Sequence, residues 1–167
     1  MMLRSKKDGL ARGFTIIEML VVLGMIAILA SLVLTGVHGV RLQAKKTKAR
    51  HDVEQIATAW GNYLQEYRRF PKTVTVTKMD SAALSILRGE TAGPDNPQRL
   101  TFMEFKSATT NYADPWGSLY EVALDQDLDN KVTVPGLASP LYRSVAVWSK
   151  GPDGVAGTKD DIRSWQR

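Results

Sequence analysis

The stretch from Phe14 to Val37 is apolar for 24 residues, and Glu18 is its only ionisable side chain. As an α-helix it would extend roughly 36 Å, at about 1.5 Å per residue. The hydrocarbon core of a bilayer is about 30 Å thick, so the run predicts a transmembrane helix. A carboxylate one turn into such a helix is costly in lipid and is retained mainly where it has a partner. The partner of Glu18 is therefore the first question that the sequence raises.

Residues 1–13 carry four basic side chains and one acidic one. A basic flank before an apolar run predicts a cytoplasmic N-terminus, with the rest of the chain on the outer side. An ordinary secretory signal has a shorter apolar region that ends in a small-residue cleavage site, and Ala30-Ser31 lies too deep in apolar sequence for that role. A plain membrane anchor stays open as an alternative, although it leaves Glu18 unexplained.

Beyond the apolar run, the pattern predicts that the same helix continues to about Phe70 and ends before Pro71. Apolar side chains recur there at three- and four-residue spacing, which is typical of one buried helix face. They are Leu42, Ala49, Val53, Ile56, Ala57, Trp60, Leu64 and Tyr67. The basic run from Arg41 to Arg50 has two readings, a solvated helix face or a contact with anionic lipid or acidic neighbours, and the first is slightly favoured.

The remaining residues, 71–167, fit one small globular head. We expect a short helix over Ser81–Leu87 capped by Asp80 or Ser81. Turns are expected at Gly93–Pro97 and at Asp114-Pro115-Trp116-Gly117. Three β-strands that pair antiparallel are predicted from β-branched and aromatic alternation. They are Leu119–Leu124, Lys131–Val134 and Tyr142–Trp148.

The segment Arg12-Gly13-Phe14-Thr15-Ile16-Ile17-Glu18-Met19-Leu20-Val21-Val22 resembles the prepilin signal of type IV pilins and type II secretion pseudopilins. The resemblance implies that prepilin peptidase cuts between Gly13 and Phe14 and that the new N-terminus is methylated. It also implies that Glu18 pairs with the terminal amine of a neighbouring subunit. One departure lies at Thr35, where the family usually has proline and this chain has Thr35-Gly36.

The C-terminal tail, Lys150 to Ile162, is rich in glycine and holds three carboxylates. On the residues alone a solvated acidic turn is the favoured reading. The tail, together with the Asp-Pro-Trp-Gly turn, resembles that of major pseudopilins, which bind calcium there. The resemblance implies a calcium site with Asp153, Asp160 and Asp161 as carboxylate ligands. The carbonyls of Lys150 and Thr158 match the expected backbone ligands less closely.

A second acidic cluster, Asp125, Asp127 and Asp129, has carboxylates at alternate positions, as at the start of an EF-hand loop. The match fails further on, because the sixth position is Asn130 instead of glycine and the twelfth is Gly136 instead of glutamate. A polar connection between two strands is therefore favoured over a second metal site.

Taken together, these features predict an α+β, type IV pilin-like fold: a long N-terminal helix packed on a small antiparallel sheet, with a C-terminal metal-binding loop. The domains expected are the leader 1–13, the transmembrane and assembly half 14–37, the amphipathic half 38–70 and the periplasmic head 71–167. We expect a structural subunit, a major pseudopilin of type II secretion that moves from the inner membrane into a periplasmic filament. Its expected partners are copies of itself, minor pseudopilins, prepilin peptidase, the inner-membrane assembly platform and, before assembly, lipid.

Other functions are less well supported. A type IV major pilin is the nearest alternative, but that family often closes its C-terminal loop with a disulfide and this chain has no cysteine. A membrane-anchored enzyme lacks a recognisable nucleophile motif, so no catalytic residue is expected. The positive net charge of +5 comes partly from the leader, and the head shows no basic cluster that would favour DNA uptake. We therefore expect no nucleic-acid partner.

Overall fold

A computed structural model describes residues 13–73, 75, 77–90, 93–105 and 109–166, without the side chains of 32–38. The predicted leader lies outside the described residues except for Gly13. The elements confirm an α+β fold of two helices and a small antiparallel sheet. In chain order they are α1 (Ile16–Tyr67), α2 (Ser81–Arg88), β1 (Glu121–Leu124), β2 (Val145–Ser149) and β3 (Ile162–Arg163). The chain divides into two compact units, Met1–Arg41 and Leu42–Arg167.

In the first unit, α1 begins at Ile16 and is helical without a break through Thr35-Gly36. Every side chain from Gly13 to Ser31 is exposed, although most are large and apolar. Exposed apolar area on this scale is unfavourable in water, since burial of such area stabilises by about 25 cal/mol per Å². Over the described part of the chain, however, no helix is of a length and apolarity that would let it traverse a bilayer.

In the second unit, α1 presents one buried face to the core, as its spacing predicts. Ala49, Val53, Ile56 and Trp60 are buried, and Ala57, Leu64 and Tyr67 are partly buried against them. Leu42 was expected on this face but is 43% exposed, because the core begins about two turns later at Ala49. The helix ends at Tyr67, where Arg68 adopts a left-handed conformation with φ of 55°, and Pro71 follows.

The turn at residues 93–97 is attached to the C-terminal end of α1 by hydrogen bonds. The Tyr63 hydroxyl donates to the Asp95 carbonyl at 2.5 Å, and the Tyr67 hydroxyl donates to Asn96 Oδ1 at 2.6 Å. Burial would raise the pKa of Asp95, but hydrogen bonds from the Thr73 hydroxyl and from the backbone of Lys72 and Thr73 hold that pKa below its usual value. An ionised Asp95 therefore ties the chain after α1 to this turn.

Helix α2 has the N-cap that its sequence predicts and a C-cap at Gly89 that was not predicted. Asp80 is the N-cap, and its carboxylate accepts hydrogen bonds from the backbone of Ala82 and Ala83 at 3.1 and 3.0 Å. Gly89 ends the helix in a left-handed conformation with φ of 69°, which glycine adopts without strain. A β-carbon at Gly89 would clash with the backbone of Arg99, so α2 packs closely against the following loop.

We expect Gly89→Ala to lower the stability of the head by at least about 1 kcal/mol, because alanine is strained at positive φ and its β-carbon meets fixed backbone. Thermal unfolding of the full-length chain in detergent measures this change. Gly61→Ala is the matched control, because a β-carbon there meets nothing within 4 Å. That control should raise stability by up to about 1 kcal/mol in a helix interior. Equal effects of the two substitutions would contradict the assigned role of Gly89.

The sheet has strand order β1-β2-β3, with β1 antiparallel to β2 and β2 antiparallel to β3. Val147 on β2 joins the main core with α1, whereas Ala146 and Trp148 join a second cluster with Val132 and Val134. Both faces of β2 are therefore covered. The tail contributes β3, a strand that the sequence pattern did not predict, and Trp165 packs edge-on to Trp148 with ring centres 6.2 Å apart.

The prediction of a strand over Lys131–Val134 was wrong. Its backbone makes one isolated bridge, between Val132 and Leu141, and no strand. The preceding loop places Leu128 and Asn130 in left-handed conformations, which breaks the extended geometry needed for a ladder. Val132 and Val134 are nevertheless buried. Their apolar alternation therefore reflects packing against Ala146 and Trp148 of the sheet and not strand pairing.

A buried carboxylate on α1 connects the helix to the sheet. Asp52 Oδ2 accepts hydrogen bonds from Lys48 Nζ at 2.6 Å and from the Tyr120 hydroxyl at 2.7 Å. Burial raises the pKa of the Tyr112 and Tyr120 hydroxyls, and the Asp52 carboxylate raises both further. The two hydroxyls therefore remain neutral donors. Lys48 belongs to the basic run from Arg41 to Arg50, and it forms an ion pair with Asp52 of the same chain.

Candidate functional site

The residues predicted to act in processing and assembly lie at the start of α1. Gly13 and Phe14 precede the helix, and Phe14 is 71% exposed. Glu18 lies in the first helical turn, where the helix dipole favours a negative charge. Its backbone N–H donates to the Thr15 hydroxyl at 3.3 Å, a weak N-terminal cap. The Glu18 side chain is exposed, which leaves the carboxylate accessible to another chain.

The tail loop, defined here as residues 150–161, is closed by contacts between its two ends. The Asp153 N–H donates to Asp160 Oδ2 at 3.3 Å. Gly151 adopts φ of 64°, and a β-carbon there would clash with the Asp160 carbonyl, so the close approach requires glycine. The hydrogen bond from the Thr158 hydroxyl, 2.5 Å from Asp160 Oδ1, holds the pKa of Asp160 below its usual value. Asp160 is therefore ionised at neutral pH.

Asp161, the other member of the predicted aspartate pair, is buried and already has partners. Its Oδ2 accepts hydrogen bonds from the Gly157 N–H at 2.8 Å and from Arg163 Nη2 at 3.1 Å. Asp153, in contrast, is exposed, and its Oδ1 accepts from the Val155 N–H at 2.8 Å. The side chain of Lys150 pairs with Glu121 at 3.0 Å. The fold thus joins Asp153 to Asp160 and leaves Asp161 paired with Arg163.

The Asp-Pro-Trp-Gly turn is connected to the first residues of the tail loop. Asp114 Oδ1 accepts from the backbone of Trp116 and Ser118 at 3.0 and 2.9 Å. Asp114 Oδ2 accepts from the Ser149 hydroxyl at 2.5 Å, and that hydroxyl accepts from the Gly151 N–H at 3.1 Å. Trp116 packs partly buried against the main core. The turn therefore holds the entrance of the tail loop, a role for Ser149 that the sequence pattern did not reveal.

The second acidic cluster brings its carboxylates closer together than the tail does. Asp125, Asp127 and Asp129 place one oxygen each within 4.8 Å of one another, the single such group of three found in the described ranges. These residues could hold a metal ion. Asp125 is 2% exposed, however, and its oxygens accept from the backbone of Asp129 and Asn130 at 3.1 and 2.7 Å. Asp129 is paired with Lys131 at 3.0 Å. These contacts fit the polar connection expected from the sequence.

Sequence similarity to known proteins identifies the family to which this chain belongs. The type II secretion system core protein G of Pseudomonas aeruginosa is 31% identical over 156 residues, which is 92% of this chain and 94% of that protein. The protein of the same name from Escherichia coli is 30% identical over 156 residues, or 92% and 90% of the two chains. This chain belongs to the type II secretion system core protein G family.

A third core protein G, from Dickeya chrysanthemi, is 29% identical over 155 residues and covers 92% of this chain and 86% of its own length. No family model matches the sequence, and no solved structure matches it. Membership of the core protein G family confirms the resemblance to a major pseudopilin. It also confirms the prediction of a structural subunit of the secretion pseudopilus instead of an enzyme, and it does not favour the type IV pilin alternative.

Arg163 is a second residue near the candidate site whose role the sequence pattern did not reveal. Its Nη2 donates to the Thr158 carbonyl at 2.9 Å as well as to Asp161. A basic residue two positions after the aspartate pair is visible in the sequence. Its contacts reach back only two and five residues along the chain, and the pairing of β3 with β2 holds the Arg163 backbone beside the loop.

Proposed function

We propose that this chain is the major subunit of a type II secretion pseudopilus, processed by prepilin peptidase and polymerised from the inner membrane into a periplasmic filament. The observation that carries the proposal is similarity to the core protein G of Pseudomonas aeruginosa. The matched region covers 92% of this chain and 94% of that protein. Minor pseudopilins and the inner-membrane assembly platform are the further partners. The domains proposed remain the leader 1–13, the assembly half 14–37, the amphipathic half 38–70 and the head 71–167.

Membrane insertion before assembly is part of this proposal. It is supported by the apolar sequence from Phe14 to Val37, which has one ionisable side chain, and by the exposure of every side chain from Gly13 to Ser31. A helix that is apolar on all sides is stable when lipid or other helices surround it. Lipid would cover this surface before assembly, and neighbouring copies would cover it in the filament. The basic leader supports a cytoplasmic N-terminus and a periplasmic head.

Processing would create the partner that Glu18 needs. Cleavage after Gly13 gives Phe14 a positively charged α-amine one turn before the carboxylate, and methylation leaves that charge in place. In a bundle of apolar helices, the amine of one subunit and the carboxylate of the next satisfy each other, whereas either alone is a costly buried charge. The exposure of both Phe14 and Glu18 supports pairing between chains.

The cleavage step is tested by the mass of the mature chain after expression with a prepilin peptidase. We expect removal of residues 1–13 and an N-methylated Phe14 at the new terminus. In a Gly13→Val variant the chain should keep its full length, because a side chain obstructs approach of the peptidase to the backbone. A β-carbon at Gly13 meets nothing within 4 Å in this chain, so misfolding would not explain that result. A mature start at another residue would refute the processing proposal.

A calcium site in the tail loop is the second part of the proposal. The donor set fits the ion, because Asp153, Asp160 and Asp161 and the carbonyls of Lys150 and Thr158 offer the hard oxygens that calcium prefers. Support comes from the loop's closure between Asp153 and Asp160 and from the lowered pKa of Asp160. The guanidinium of Arg163 on Thr158 and Asp161 indicates that these oxygens accept a cation.

When bound, calcium would supply a divalent charge that neutralises the carboxylates and joins the two ends of the loop. The chain's own residues do the remaining work. Ser149 and Asp114 hold Gly151 at the entrance of the loop, and Thr158 orients Asp160 by its hydroxyl. Because β3 follows the loop directly and pairs with β2, order in the loop is transmitted to the edge of the sheet.

A further inference from the structure

Arg163 is fixed at the edge of the sheet and directed at the tail loop. Its backbone pairs with Trp148 in the β2–β3 ladder. Its Nη2 lies 2.9 Å from the Thr158 carbonyl oxygen and 3.1 Å from Asp161 Oδ2. The Arg163 side chain is 14% exposed and that of Asp161 is 2% exposed. This ion pair is therefore shielded from solvent, and its strength is only weakly screened by salt.

The two oxygens that Arg163 contacts both belong to the proposed calcium ligands. A guanidinium always carries its charge in proteins and only donates hydrogen bonds, so it occupies acceptor oxygens that a metal ion could also use. Arginine and calcium near the same two oxygens repel each other as like charges. The tail loop therefore already has a cation beside it, the guanidinium of Arg163, which is a residue of β3.

We infer that Arg163 is an internal cation of the tail loop, which satisfies Thr158 and Asp161 when no metal is bound and must withdraw from them for calcium to bind. The inference rests on the proposed calcium site and defines its regulation. It has two consequences. Arg163 keeps the loop ordered in the metal-free chain, and it weakens the apparent affinity for calcium by the free energy needed to displace it.

Calcium titration by calorimetry, on the full-length chain in detergent, tests the inference with three variants. Arg163→Met removes the charge and keeps a long apolar side chain. Arg163→Lys keeps the charge and alters its geometry, which guards against a failure of the methionine variant to fold. Lys159→Met is the matched control, because Lys159 is exposed within the same loop and its loss changes the net charge equally.

We expect Arg163→Met to bind calcium roughly tenfold more tightly than the wild type, since a hydrogen bond to a charged group contributes on that order. Lys159→Met should change the affinity by about twofold or less, because an exposed charge is well screened. Arg163→Lys should fall between the wild type and Arg163→Met. In chelator, Arg163→Met should unfold at a lower temperature than the wild type, and added calcium should remove that difference.

Weaker binding by Arg163→Met, or a change no larger than that of Lys159→Met, would overturn the inference and make Arg163 a support for the ligands. Absence of binding by the wild type has a different meaning, because it would remove the proposed calcium site itself. In that case a lowered unfolding temperature of Arg163→Met in chelator would show a structural ion pair alone, and the inference about calcium would fail with the site.

Discussion

Glu18→Ala is expected to abolish assembly of the pseudopilus while insertion and processing continue. Cleavage acts at Gly13 and Phe14, before the helix, and does not require the carboxylate. Assembly would place the α-amine of Phe14 in an apolar bundle without its partner. Removal of one member of a buried ion pair costs about 3–5 kcal/mol, and that loss recurs at every subunit contact along a filament. Sedimentation of sheared filaments and electron microscopy measure the effect.

Two further variants make the Glu18 result specific. Glu18→Gln preserves the shape of the side chain and removes its charge, and it should fail in the same way as alanine. Glu66→Ala removes a carboxylate from an exposed position near the other end of the same helix, and filaments should form normally. The mass of the mature chain confirms processing in each case. Filaments of ordinary abundance from Glu18→Ala would exclude the pairing of Glu18 with the neighbouring amine.

Asp160→Ala is expected to weaken calcium binding by on the order of 100-fold, because the number of charged ligands tunes the affinity of oxygen sites over several decades. Asp160 is the carboxylate that meets the opposite end of the loop, through the Asp153 N–H. Its loss removes a ligand and also the contact that closes the loop. Titration calorimetry of the full-length chain in detergent gives the affinity, and the unfolding temperature with and without calcium gives a second measure.

The matched control for Asp160→Ala lies in the second acidic cluster. Asp127→Ala removes an equal charge from an exposed position in the group whose oxygens converge within 4.8 Å, and calcium binding should remain nearly unchanged. Loss of binding by Asp127→Ala, with normal binding by Asp160→Ala, would move the site to the Asp125–Asp129 loop. This comparison tests the tail loop against the loop in which the carboxylate oxygens converge, since aspartates in both loops have internal partners.

Several features of the second unit, Leu42–Arg167, followed from local chemistry. The helical spacing of Val53, Ile56 and Trp60 identified the buried face of α1, because only one face of an amphipathic helix can meet the core. Asp80 was identified as a candidate cap because its side chain satisfies N–H groups that have no partner in the first turn. Each of these outcomes depends on residues within about two helical turns of one another. The sequence is sufficient there.

The sheet shows where local reasoning failed. The pattern of Val132 and Val134 predicted a strand, yet their burial comes from packing in one cluster with Ala146 and Trp148 on the same face of β2. Strand β2 carries apolar side chains on both of its faces, so the sequence pattern could not show which face packs against α1. Strand β3 is two residues long and pairs with residues about 14 positions earlier in the chain. Such short pairings carry almost no periodic signal.

The sequence alone indicated the N-terminal helix, the family and the identities of the candidate residues, because an apolar run with one carboxylate and a closely spaced acidic tail are properties of adjacent residues. Tertiary structure decided which distant polar groups meet. Ser149 donates to Asp114, 35 residues away, and Tyr120 donates to Asp52, 68 residues away, since the packed sheet and helix bring these residues together. Electrostatic partners depend on distance in space, and only the packed fold determines that distance.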